Sequence, residues 1–311
     1  MLDCSITIDV DSLKAIFKGK DLNKPEGYTY LEYEIGMQNF LDIFDEFGIK
    51  ATFFVVGEDL NHLPNRSIVQ QAYNRGHEIA NHTMNHTQGF RFLAEREKQK
   101  ELEMCEAVIE ASIGTKPVGF RSPGWNIGDN DISLMIQRGY QYDSSVFPTY
   151  LMPLLKFLHF VTMNSRAKID RTTMGQMDYM FASPLPYQTD LNQLRKKGNS
   201  GFFEMPVSVT PITRIPFFAT FHLATGLNMF KTSYKFIKAA NRPIIYLFHL
   251  FDFVDFSLPD FEGQIPNSKG IYIPGSIRVS YKKKYRIFRE ILSLISKDYS
   301  FKTLQNMRST L

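Results

Sequence analysis

The feature that most narrows what this chain can fold into is an alternation of short apolar runs and longer helical patterns through its first half. Ser5-Ile6-Thr7-Ile8-Asp9-Val10-Asp11 alternates with period two, which predicts a strand with Asp9 and Asp11 on one face at its carboxyl end. Met37, Phe40, Leu41, Phe44 and Phe47 recur at helical spacing, so a helix is expected over about 30–47, stopped by Gly48. Residues 51–56 read as a second, fully buried strand. A short helix is expected from about 67 to Gly76, and 77–80 leads into His82-Thr83-Met84-Asn85-His86. A charged amphipathic helix follows over 94–113, closed by Gly114, and 117–120 delivers Arg121 at another strand end. Asp129 or Asp131 can cap the helix that Gly139 ends, and 140–143 begins the next strand. The order β-α-β-α-β-α-β-α-β, with short connections, predicts a parallel α/β sheet or barrel. Its polar candidates fall at strand carboxyl ends, where such folds place their sites.

The second half is less regular. Pro148, Pro153, Pro184 and Pro186, with a polar run at 170–173, suggest an insertion around the site over about 149–201. A strand resumes at 204–209. Residues 211–221 are aromatic but broken by prolines, which predicts a loop covering the mouth of the site rather than a central strand. A helix is expected at 225–240, a buried strand at 243–248 ending in His249, a basic amphipathic helix at 280–296 and a final strand at 299–304. With 311 residues, a single domain spanning 1–311 can build its own core.

Bulk properties exclude several classes. A net charge of +4 is too mild to argue for nucleic acid as a partner. Two cysteines, Cys4 and Cys105, make no disulfide framework and no ligand-like spacing. The N-terminus runs into a strand pattern without a basic and then apolar leader, and no run reaches the roughly 18–20 apolar residues that span a bilayer. The expected location is therefore cytoplasmic, and a membrane-bound substrate would be met at the inner leaflet. The Lys282-Lys283-Lys284 run is expected to be a solvated helix face, although a basic helix beside an apolar, proline-rich loop could also touch an anionic membrane surface. The oligomeric state is not legible.

Chemistry concentrates at the two histidines. His82 and His86 are four apart, so on one helical turn both imidazoles would reach a single cation. Neutral imidazole suits Zn²⁺, Ni²⁺, Co²⁺ or Fe²⁺, and an oxygen ligand would leave one position open for water. Taken alone, an HxxxH pair is more often two polar residues on a solvated helix. Here the chain also supplies the Asp9/Asp11 carboxylates, Arg121 and His249 at strand ends. Amide hydrolysis needs a nucleophilic water, a stabilised oxyanion and a proton for the leaving amine, and these residue types can provide them. Arg121 beside Asp9 would favour the charged carboxylate, and a backbone amide near Gly124 is a candidate second oxyanion donor.

In that order, Asp9-Val10-Asp11, His82-Thr83-Met84-Asn85-His86, Arg121-Ser122-Pro123-Gly124-Trp125 and Leu247-Phe248-His249 resemble the motifs of the polysaccharide deacetylase family, the NodB homology group or carbohydrate esterase family 4. The resemblance runs from the first strand to His249, and Phe301-Lys302-Thr303-Leu304 also fits. It implies an α/β fold, a distorted, incomplete (β/α) barrel of mostly parallel strands, and hydrolysis of N-acyl groups, usually acetyl, from amino sugars. Matched residue by residue, it implies Asp11, His82 and His86 as metal ligands, Asp9 as general base, Arg121 as the group that orients Asp9, and His249 as general acid. Asp143 falls where the fourth motif keeps an aspartate, and Asp252 is placed to pair with His249. The implied cofactor is a divalent metal, zinc first, with cobalt, nickel, iron or manganese as alternatives. The implied partner is an amino-sugar glycan, a nucleotide-linked sugar or a lipid-linked sugar.

The chain departs from the common pattern in three places. Val10 separates the aspartates, which are usually adjacent. This resembles the branch that includes deformylases of lipid-linked amino sugars, and it leaves the roles of Asp9 and Asp11 exchangeable. The glycine of the third motif stands one place early, at Gly124, so Trp125 would close the pocket differently. The fourth motif lacks its tryptophan. Two rival functions remain: a barrel amidohydrolase acting on a small cyclic amide, and a glycan-binding protein with a vestigial site. His62, His77, His159 and His222 are read as structural, with His222, in the aromatic segment, a minor candidate for the site.

Overall fold

A computed structural model of the chain describes residues 1–18, 27–154, 156–157, 175–262 and 275–311. The polar run at 170–173 and His159 therefore lie outside the described residues. The elements are β1 (Leu2–Val10), α1 (Leu13–Lys18), α2 (Leu31–Phe47), β2 (Thr52–Val55), α3 (Leu63–Asn74), β3 (Glu78–Asn81), α4 (Glu95–Ile113), β4 (Gly119–Phe120), α5 (Asp131–Gln137) and β5 (Tyr142–Asp143). There follow β6 (Tyr187–Gln188), β7 (Phe203–Glu204), α6 (Ala219–Thr225), α7 (Leu227–Ala239), β8 (Ile244–His249), α8 (Tyr281–Ile295), β9 (Tyr299–Phe301) and α9 (Leu304–Arg308). The strands form one sheet in the order β6-β7-β5-β4-β3-β2-β1-β8, with β9 also paired to β1. Every pairing is parallel except β6 with β7. The sheet curls into a half-barrel clad by helices.

The alternation in β1 does not separate core from solvent. Cys4, Ile6, Ile8 and Val10 pack into the layer beneath α2, α3, α7 and α8, while Ser5, Thr7 and Asp9 face the barrel interior and are equally buried. Register carries this pattern across to β8, where Ser5 pairs with Ile245, Thr7 with Leu247 and Asp9 with His249. The β8 row climbs from an apolar base to a polar rim, while the β1 row is polar throughout. The base is plugged by α9, whose Leu304 and Met307 pack on Phe54, Ala80, Tyr142 and Ile245. The expected strand at 299–304 thus stops at Phe301, because Thr303 caps a helix with its hydroxyl accepting from the Asn306 N–H at 3.3 Å.

Other boundaries shift for identifiable reasons. The helix expected from about 67 begins at Leu63, with Pro64 in its first turn, where a missing N–H costs nothing. Neither Asp129 nor Asp131 caps α5. Asp129 accepts from the Leu194 N–H, and Asp131 binds the Gly128 N–H and Lys98. The strand expected at 204–209 keeps a regular ladder only at Phe203–Glu204. Beyond Pro206, which has no N–H, Ser208 bonds the main chain of Ile245, so this irregular segment spans towards β8. Residues 211–218 form the irregular segment expected, and only 219–221 depart from it by entering a helix. Val209 bridges Pro216, and α6 begins at Ala219 and ends at Gly226. Lys282 and Lys283 are exposed as expected, but Lys284 is buried, donates to the carbonyls of Phe251 and Val254 at 2.8 Å each, and is pushed down to about 8 by burial.

Gly119 is required by a close approach. A Cβ there would lie 2.1 Å from the Tyr142 ring, which crosses β4 to donate to Glu78 at 2.8 Å. Gly119→Ala should dislodge that ring and lower unfolding free energy by about 1–3 kcal/mol in a urea titration. An unchanged midpoint would show that Tyr142 can move without loss.

Candidate active site

Asp9 is the last inward-facing residue of β1 and sits between Phe54 of β2 and His249 of β8. Asp11 follows, just past the strand. His82 and His86 arrive from the loop after β3. That loop is not the helical turn expected from the HxxxH spacing, because Thr83 and His86 hold left-handed φ values of 65° and 50°. A β-branched residue in that region is strained. The surroundings enforce it: Asn81 Oδ1 accepts from the Thr83 N–H at 2.7 Å, and Glu101 on α4 takes the Asn85 N–H at 2.9 Å and its side-chain amide at 2.6 Å.

The outcome brings the three expected ligands together. One donor atom from each of Asp11, His82 and His86 lies within 4.8 Å of the others, and the residues are 2–8% exposed. Each Nε2 stands 3.3 Å from Asp11 Oδ1, yet that oxygen has no partner of hydrogen-bond geometry among the described residues. An ion bound tetrahedrally at roughly 2.0–2.1 Å from each donor would require donors about 3.3–3.4 Å apart. Donor type, separation and the orphaned oxygen therefore fit a divalent metal. His82 Nδ1 is 2.6 Å from the Arg121 carbonyl, so Nδ1 carries the hydrogen and Nε2 presents its lone pair to the cluster. Burial opposes charge on Asp11, but the facing imidazoles of His86 and His82 outweigh it and hold the carboxyl well below its usual range. Burial likewise opposes a charged His82, and Asp11 raises it nonetheless.

Arg121 is fully buried. Its Nη1 donates to Asp9 Oδ1 at 2.6 Å and to Thr7 Oγ1 at 3.2 Å, and its guanidinium lies 4.1 Å over the Phe54 ring. Ser144 clamps the other side: its carbonyl accepts from Nε at 2.8 Å and its hydroxyl from Nη2 at 2.7 Å. Asp143 does not touch the arginine. It binds the Ser145 hydroxyl at 2.6 Å, and that hydroxyl accepts from the Ser122 N–H at 2.8 Å, which ties the loop after β4 to the loop after β5. Burial and the facing Asp143 carboxylate push Glu204 well above its usual range, and burial raises Asp143 as well.

His249 ends β8. Asp252 does not pair with its ring as expected. The carboxylate accepts from the His249 main-chain N–H at 3.0 Å, while the ring Nδ1 meets Thr220 Oγ1 at 3.2 Å. Gly124 and Trp125 both adopt left-handed φ, 62° and 56°. The Trp125 N–H is already bound to the Ser122 carbonyl at 3.0 Å, and its ring packs on Phe147 and Phe218. The segment predicted to cover the mouth thus reaches Trp125 through Phe218. Of the other described histidines, His222 bonds Tyr246, His77 accepts from the Ala51 N–H and His62 stacks on Tyr30, all structural roles. Thr220, Ser144, Ser145 and Glu204 carried no motif signal. They become visible only when strands distant in sequence are set side by side.

The chain thus combines a mostly parallel half-barrel with a His-His-Asp cluster at its rim. Residues 22–142 match the family model for polysaccharide deacetylase. Over that stretch the chain is similar to the polysaccharide deacetylases. It is 34% identical over 116 residues to a peptidoglycan deacetylase-like protein of Gibberella zeae, covering 36% of this chain and 33% of that protein. It is 24% identical over 162 residues to a peptidoglycan deacetylase of Helicobacter pylori, covering 52% of each. The chain thus spans about half the length of these curated relatives or less. A solved structure from Mycobacterium smegmatis, assigned to the polysaccharide deacetylases, superposes with a TM-score of 0.62 at 18% identity, covering 99% of this chain and 90% of that one, a likeness of fold.

Proposed function

We propose that this chain is a metal-dependent carbohydrate N-deacylase that hydrolyses the acetyl or formyl amide of an amino sugar carried on a glycan, a nucleotide or a lipid. The observation that carries the reading is the convergence of Asp11, His82 and His86 beside the Asp9–Arg121 pair, with His249 on the adjacent strand. Asp11, His82 and His86 would hold the ion, zinc being the first candidate for two imidazoles and a carboxylate. When bound, a divalent ion there polarises the acyl oxygen and acidifies water. Asp9 takes the proton of the attacking water as general base. Arg121 holds Oδ1 of that carboxylate, which fixes its orientation. His249 gives a proton to the departing nitrogen. The reading takes 1–311 as one catalytic domain, because α9 near the carboxyl end plugs the barrel that β1 begins.

Stripping the protein with a chelator, restoring zinc or cobalt, and measuring amine release from N-acetyl and N-formyl amino sugars and from a small cyclic amide tests this. Release from an amino sugar that stops on chelation and returns with metal is expected. Hydrolysis confined to the cyclic amide, or tight glycan binding with no release in the metal-restored protein, would contradict it.

A further inference from the structure

We infer that Thr220 is a positioning residue for the general acid, fixing His249 in the protonation pattern that the reaction needs. This rests on the deacylase reading. Thr220 is the second residue of α6, 29 positions before His249, and its hydroxyl lies 3.2 Å from His249 Nδ1. The same hydroxyl faces both carboxylate oxygens of Asp252, at 3.4 and 3.5 Å. A hydroxyl has a single hydrogen to donate. Directed at the carboxylate, it leaves the oxygen lone pairs for His249, so Nδ1 must carry the hydrogen. The order is then His249 Nδ1–H to Thr220 O–H to Asp252.

That order suits an acid. When the C–N bond of the tetrahedral adduct breaks, the amine nitrogen takes the Nε2 proton of the imidazolium. The ring left behind is neutral and keeps its Nδ1 hydrogen, the tautomer already bound by Thr220. No hydrogen has to move within the ring before or after transfer. A direct carboxylate contact would do similar work, but Asp252 is occupied by the His249 main-chain N–H at 3.0 Å, and the threonine carries its influence to the ring.

The framework around the pair holds it in place. Phe218 packs against Trp125 and Phe147 just before α6, setting where Thr220 enters. Lys284 on α8 donates to the carbonyls of Phe251 and Val254, anchoring the turn that bears Asp252. Among the described residues, the titratable groups bearing on His249 and its partners are Asp252 on that turn, Lys284 from α8, Tyr246 on β8 and Asp9 beside it on β1.

Thr220→Val removes the hydroxyl while keeping the shape, and Thr220→Ser restores it. With an N-acyl amino sugar, Thr220→Val should lower kcat about 10-fold or more with KM little changed, within the range that general acids contribute. The basic limb of its pH profile should move to lower pH, because the imidazolium loses support. An activated aryl ester, whose leaving group needs no proton, should be cleaved at close to the wild-type rate, and Thr220→Ser should recover most of the loss. Nitrogen NMR of labelled His249 supplies a readout independent of turnover: the neutral ring should be the Nδ1–H form in wild type and shift towards Nε2–H in Thr220→Val. The same tautomer and the same pH midpoint in both proteins would overturn the inference, even with an active enzyme. Absence of turnover in the metal-restored wild type would instead defeat the deacylase reading and leave the NMR test intact.

Discussion

His82→Ala is expected to leave a folded protein that no longer retains a divalent ion at micromolar concentrations and releases no amine. The alanine removes one of three donors from a cluster in which both imidazole nitrogens stand 3.3 Å from Asp11 Oδ1. Losing a group that merely orients a ligand costs roughly 10–100-fold in metal affinity, so loss of a ligand itself should exceed that. It also strands the Arg121 carbonyl, which accepts the Nδ1–H at 2.6 Å, at a cost of about 1–3 kcal/mol in stability. Metal analysis after gel filtration, with thermal unfolding as the control, checks both effects. A variant that keeps a full equivalent of metal would show that His82 is not a ligand.

Asp9→Asn should behave in the opposite way. The amide oxygen can still accept from Arg121 Nη1, and Asp11, His82 and His86 are untouched, so metal content should match wild type. An amide cannot take up the proton of the attacking water, and turnover should fall about 10²–10⁴-fold. The decisive comparison is with Asp11→Asn, which should lose metal. If Asp9→Asn strips the ion and Asp11→Asn does not, the two aspartates have exchanged roles. The geometry favours Asp11 as ligand and Asp9 as base, since Asp11 contacts both imidazoles while Asp9 is taken up by the arginine.

Much of this was legible in the sequence because the βα alternation dictates where strand ends fall, and strand ends carry the chemistry. Asp9, Asp11, Arg121 and His249 each close an apolar run, so their convergence follows from a parallel sheet. The HxxxH pair was legible as a cluster and misleading as a helix. Spacing alone cannot show that Asn81 and Glu101 fold 82–86 into a strained loop. The alternation in β1 was legible as a strand, but not as a strand buried on both faces, because its polar residues line a barrel interior. Lys284 shows the same limit. Within a basic run nothing distinguishes it from Lys282 until α8 is packed against the turn after β8. Thr220 was least legible of all, since an isolated threonine in an aromatic stretch acquires meaning only beside His249.

Whether Asp11, His82 and His86 hold a metal is decided most directly by anomalous diffraction from crystals of the zinc-restored protein, recorded on both sides of the zinc absorption edge. One strong peak per chain is expected, bounded by Asp11 Oδ1 and the Nε2 atoms of His82 and His86, and it should disappear as pH falls and the imidazoles take up protons. A peak held by other residues, or none between these three at neutral pH, would contradict a metal-dependent site.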